Sequence, residues 1–181
     1  LVEWAEANPD SPYVLGTSFL FDAVPDNTPT RQMLDDLFPD KPVFIDSFDL
    51  HCGWVNTAAL SLLEIIGDTP DPIGGEIRRD ANGHATGYLL ETALHQHMWA
   101  FLARADDATR DRQLATAVQA LNESGTTTAV DMAVSPHDAD TFTRAEANGT
   151  LTLRVIGHWI IRNTGDDANN CAQVEEAARR K

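Results

Sequence analysis

Apolar and polar positions along this chain follow two different rhythms, which change over near residue 105. Before that point the apolar runs are short and broken by Pro9, Pro12, Pro25, Pro29, Pro39, Pro42, Pro70 and Pro72. Residues 13–16 and 41–46 carry the branched and aromatic side chains that strands favour, and 30–37 reads as a short helix. Val55, Ala58, Ala59, Leu62 and Leu63 recur at helical spacing, with Asn56 or Thr57 as the cap. Asn82-Gly83 between 75–79 and 84–89 predicts a β-hairpin. Residues 91–103 are predicted helical, with Leu94, Met98, Phe101 and Leu102 forming an apolar stripe.

From about Asp107 the pattern alternates regularly. Helices are predicted over 108–123, 138–147 and 170–180, strands over 126–131 and 151–157, and Gly125 and Gly149 are the helix stops. This is the βαβ order of a parallel sheet. The fold class is therefore α/β, with an α+β segment over 1–104 and a βαβ portion over 105–181. No internal repeat or low-complexity tract interrupts it.

The stretch from Asp49 to Leu60 is the richest in candidate chemistry. Read as a strand-to-helix turn, it places Asp49, His51 and Trp54 at the carboxyl end of a strand, where α/β proteins gather ligands. In the alternative reading, Asp49 and His51 satisfy backbone groups of the turn and Trp54 plugs the core. Asp131 and His158 fall at the ends of the two later strands, as barrel active-site residues do. Asp131 could equally cap the next helix, and His158 could be a satisfied core residue.

Composition narrows the partners. A formal charge of −15 argues against nucleic acid or an anionic membrane surface and favours a small-molecule ligand. Lysine occurs only at Lys41 and Lys181, which points to an acidic, solvated surface suited to a salty environment. Cys52 and Cys171 show neither metal nor redox spacing, so a reduced cytoplasmic location is expected. No apolar run approaches the ~20 residues needed to span a bilayer. Leu1 to Ala5 reads as the interior of a helix, as though the chain were cut from something longer. At 181 residues it is short for a complete barrel of roughly 250.

His95-Gln96-His97 has the look of a metal motif. On a helix, however, positions two apart lie roughly 200° apart around the axis, so the two rings cannot share one ion. A Gly-x-Ser-x-Gly elbow, a phosphate loop and a dinucleotide glycine fingerprint are all missing, which argues against serine hydrolysis and phosphoryl transfer.

Several segments in order resemble the amidohydrolase superfamily, in the amidohydrolase-3 branch that includes N-substituted formamide deformylases. They begin with Arg31-Gln32-Met33-Leu34-Asp35, Phe38-Pro39-Asp40-Lys41-Pro42-Val43, Asp49-Leu50-His51 and Asn56-Thr57-Ala58-Ala59-Leu60. Next come residues 69–80 and 83–91, then Gly125 to Asp131 and Leu153-Arg154-Val155. The resemblance implies a metal-dependent hydrolase with a (β/α)8 barrel acting on carbon–nitrogen bonds such as amides or formamides. In that family a His-x-His pair, a carboxylated lysine or acid, two further histidines and an aspartate hold the metal, zinc by expectation.

None of these ligands can be placed in this sequence. The resemblance therefore implies a partial barrel, its second and third strands with their helices, preceded by the inserted segment. It gives pocket walls without the metal, and no catalytic residue is assigned. His51 and Trp54 would line the substrate pocket, Asp49 and Asn56 would hold the turn, and Asp131 and His158 would face the barrel mouth. A non-catalytic binding or structural module descended from such an enzyme is the competing function. An isomerase or deaminase on the same barrel is a third. Two parallel strands without neighbours leave unpaired edges, so a homo-oligomer is expected.

Overall fold

The computed structural model describes residues 1–180, which form two compact units, Leu1–Leu102 and the remainder from Ala103. In the first unit, helix α1 (Val2–Ala7) leads to strand β1 (Val14–Phe19), helix α2 (Arg31–Asp35) and strands β2 (Val43–Ser47) and β3 (Cys52–Val55). Helix α3 (Thr57–Leu62) and the hairpin β4 (Gly75–Arg79) and β5 (Ala85–Glu91) follow. A π-helical turn over Leu94–Trp99 then runs into α4 (Ala100–Leu102). The strands form one mixed sheet in the order β1-β2-β3-β5-β4, parallel between β1 and β2 and antiparallel elsewhere.

Strand β2 is buried on both faces, which is why Val43-Phe44-Ile45 reads as an unbroken apolar run. Phe44 joins Val55, Leu60, Ile77, Leu89, Leu94 and Met98 in one core. Val43 and Ile45 join Val14, Leu34 and Phe38 in another. Gly87 lets β5 lie against its neighbours, because at its φ of +87° an added Cβ would collide with the Val55 carbonyl oxygen.

Asn56 ties these layers together. Its side-chain oxygen accepts from Val43 N at 3.0 Å and Ala59 N at 2.9 Å, while its amide donates to the carbonyls of Phe38 and Lys41, each at 2.9 Å. One wholly buried residue therefore caps α3 and anchors the start of β2.

The second unit runs α5 (Asp107–Glu123), β6 (Thr128–Val134), α6 (Pro136–Ala147), β7 (Arg154–Trp159) and α7 (Asp167–Arg179), with β6 and β7 parallel. Ser135 and Asp138 form a reciprocal capping box at the start of α6, with Pro136 at its first position. Asp111 of α5 pairs with Arg144 of α6 at 2.7 Å.

Three expectations change. The segment after Asp49 enters strand β3 before any helix, because Phe44↔Val55, Ile45↔Trp54 and Asp46↔Gly53 pair on one side and Cys52↔Leu90 on the other. Val55, counted above as the first apolar position of a helix, is the last residue of that strand. The helix predicted over 91–103 starts later, since Glu91 ends β5 with φ at +52° and the next turn is π-helical. Strands predicted over 126–131 and 151–157 lie two to three residues further on, so Asp131 is internal to β6. The helix cap there is Ser135, and Asp131 does not serve as one.

Replacing Asn56 with alanine is expected to cost about 4 kcal/mol, because it removes a cap and leaves buried backbone groups unpaired. Urea denaturation followed by tryptophan fluorescence measures it, and a loss under about 1 kcal/mol would contradict the anchoring role.

Candidate functional site

The turn between β2 and β3 is fixed from within. Ser47, buried at the end of β2, donates its hydroxyl to Asp49 Oδ1 at 2.5 Å and accepts from Cys52 N at 3.0 Å. The same Asp49 oxygen accepts from His51 N at 3.1 Å. The Ser47 hydroxyl, helped by the His51 backbone, holds the Asp49 carboxyl below its usual range. Leu50 takes φ of +63° to complete the turn. This local network sets where His51 emerges.

Strand β5 supplies the partner. Glu91 N donates to the His51 carbonyl at 2.8 Å, and the Glu91 carboxylate Oε2 lies 2.9 Å from His51 Nδ1. Both side chains are more than half exposed, at 61% and 53%. The Glu91 carboxylate, by hydrogen bond and by charge, raises the His51 pKa. A carboxylate at Nδ1 favours the proton there, which leaves Nε2 as the basic ring atom. Such a dyad can hydrogen-bond a polar ligand and accept a proton from it.

Trp54 lies three residues after His51, within β3, and does different work. Its indole N–H donates to the Thr30 carbonyl at 2.8 Å, and its ring meets Phe19 edge-to-face at 5.7 Å. It bridges β3 to the start of α2, close to the core-plug alternative. Across β5, Tyr88 pairs in register with Trp54 and donates to Cys52 Sγ at 3.5 Å. Burial raises both the Cys52 thiol and the Tyr88 phenol above their ordinary pKa values.

Residues 2–180 match the model of the amidohydrolase family. The chain belongs to that family. It is 38% identical over 129 residues to the N-substituted formamide deformylase of Arthrobacter pascens, covering 68% of this chain and 23% of that protein. A putative amidohydrolase of Bacillus subtilis is 48% identical over 64 residues, covering 35% of this chain and 12% of that protein. In fold, it is similar to an uncharacterized metal-dependent hydrolase of Pyrococcus horikoshii, with a TM-score of 0.58, 23% identity and coverage of 82% of this chain and 28% of that one. An uncharacterized metal-dependent hydrolase of Pyrococcus furiosus gives a TM-score of 0.57 and 21% identity, covering 87% of this chain and 31% of that one. The chain thus spans less than a third of each of these amidohydrolase relatives and hydrolase structures.

The donors among the described residues do not fit a metal centre. Among the described residues no group of three or more His, Cys, Asp and Glu side chains is placed to hold an ion. The ring of His95 lies 4.4 Å from that of Trp99, and His97 Nε2 is buried without a hydrogen-bond partner. Burial lowers the His97 pKa.

In the second unit Asp131 and His158 do not share a face. Asp131 lines a pocket of about 270 Å³ with Arg110 and Leu114 of α5 and Thr141 and Phe142 of α6, and it accepts from Ala133 N at 3.0 Å. His158 follows Ile156 on the opposite face by strand alternation, where Val130 and Met132 are exposed. Asp131 therefore lies on the helix side of the pair and His158 on the other. Ser47 and Glu91, which build the site around His51, were not singled out from the sequence. Glu91 is forty positions from His51, and only the β3–β5 register brings them together.

Histidine ring resonances followed against pH should show His51 titrating above its ordinary value of about 6.5, with Glu91→Gln returning it toward that value. The pair favours the charged ring, so its contribution to stability is complete below the unfolded pKa and is lost as pH rises through the folded one. A His51 midpoint indifferent to Glu91→Gln would show that the dyad does not form.

Proposed function

We propose that this chain is part of a metal-dependent amidohydrolase acting on carbon–nitrogen bonds other than peptide bonds, with amides or formamides as the substrate class. The observation that carries this reading is the His51–Glu91 dyad on a turn fixed by Ser47 and Asp49, in a chain related along 68% of its length to a formamide deformylase. In this reading His51 lines the substrate pocket and hydrogen-bonds the substrate. Asp49 holds the turn that presents it, while Trp54 and Asn56 support that turn from the sheet behind. The metal, zinc by expectation, would be held by donors not gathered among the described residues, and would activate water and polarise the carbonyl when bound.

The second unit, β6-α6-β7-α7, is read as two consecutive units of a (β/α)8 barrel, and the first as the inserted pocket wall. His158, on the exposed apolar face with Val130 and Ile156, points to the barrel interior in this arrangement. Where that face and the strand edges lack neighbours, self-association is the expected result. A small organic molecule is the partner, with neither nucleic acid nor membrane involved, and the cytoplasm is the proposed location. Among the described residues no helix is long and apolar enough to cross a membrane.

A second reading is a binding or structural module without chemistry, which the lack of a metal-holding group among the described residues favours.

Zinc-loaded full-length protein should hydrolyse N-benzylformamide, releasing formate. His51→Ala should raise KM about tenfold with a smaller change in kcat, the loss of one charge-assisted hydrogen bond to bound substrate. Loaded protein that cleaves neither formamides nor amides would favour the second reading, and an unchanged KM would remove His51 from the pocket.

A further inference from the structure

The parallel pair β6 and β7 ends beside a pocket of about 470 Å³, within the range of small-molecule sites. Its position is set by the backbone. Ile160 N donates to the Val134 carbonyl at 3.1 Å, which carries the ladder past the end of β7. Gln173 of α7 then clasps the backbone two residues on: Arg162 N donates to Gln173 Oε1 at 2.8 Å, and Gln173 Nε2 donates to the Arg162 carbonyl at 2.9 Å. Trp159, Ile161 and Ala172 give the pocket an apolar wall.

Arg162 is the group without an explanation. Several other cations of the chain sit on acids, as Arg79 does on Asp71, Arg110 on Asp107 and Arg144 on Asp111, while Lys41 is held by the Asn8 and Pro9 carbonyls. Arg162 lines the pocket and is half-buried; its guanidinium has no acid or acceptor as a partner among the described residues, and burial lowers its pKa. Glu176, the acid in the lining, does not serve it. One Glu176 oxygen is held by Arg179 at 2.7 Å and the other by Arg180 at 2.7 Å. The two guanidinium groups neutralise that carboxylate and leave the pocket with an uncompensated positive charge. A half-buried cation without a partner carries part of a desolvation cost, which an incoming anion relieves.

We propose that this pocket binds a small organic anion, a carboxylate on an aromatic or branched aliphatic body, with Arg162 taking the carboxylate and Trp159, Ile161 and Ala172 packing against the body. The proposal goes beyond the functional reading above and does not depend on the His51 turn. Arg suits this task because its planar fork matches both carboxylate oxygens.

Calorimetric titration of the folded chain with phenylacetate and with its neutral counterpart phenylacetamide tests it. The carboxylate should bind at least about tenfold more tightly than the amide, the effect of one charge-assisted contact. Arg162→Met should remove that preference while leaving the weak amide affinity unchanged, and Ala172→Trp should weaken both ligands by filling the pocket. Equal affinities for the two ligands, no phenylacetate binding at millimolar concentration, or a preference that survives Arg162→Met would each overturn the proposal. Should Arg162→Met not fold, the wild-type resonances of the Trp159 indole and the Gln173 side-chain amide decide, shifting with phenylacetate if the site is real and unmoved if it is not.

Discussion

Four hydrogen bonds from one buried amide hold the first unit in register. Asn56 satisfies the N-terminus of α3, the first N–H of β2 and two carbonyls of the loop before it. No apolar residue of similar size could do this, and an aspartate would lose both donations. The anchoring fixes β2, which is buried on both faces and is the strand on which two separate apolar clusters depend. The hairpin that leaves β2 inherits that precision.

The site is built outward from this anchor. At the far end of β2, Ser47 is buried and turned toward the chain that follows it, so its hydroxyl organises Asp49, Cys52 and, through Asp49, the backbone of His51. Glu91 arrives from β5, whose approach relies on Gly87. The dyad is exposed while everything beneath it is fixed, an arrangement that presents a basic ring atom without the freedom of a loop side chain. Asp46, on the other face of β2, is half-buried and receives the Trp99 indole N–H at 2.8 Å; burial raises its pKa, and that bond tempers the rise.

Much of this was legible from local pattern. The Asn-Gly turn announced the β4–β5 hairpin, and Asp80 indeed accepts from Asn82 N and His84 N within it. Asn56 was visible as a cap because its chemistry is local, though its bonds to Phe38 and Lys41 were not. The strand Cys52–Val55 was hidden because it is only four residues long and flows directly into a helix, so its valine fitted the helical period too. Glu91 was hidden because register is a tertiary property. Asp131 sits inside β6 and not at its end, and moving a strand's end past a residue changes which neighbours it meets.

The family membership and the fold agree, and no set of metal donors is gathered among the described residues. The central claim is that this chain shapes and lines a site whose metal is held elsewhere. Metal analysis of the purified 181-residue chain, after zinc loading and desalting, tests it most directly. The account predicts zinc well below stoichiometry, unaltered by His51→Ala. Stoichiometric zinc that is lost on His51→Ala would contradict it.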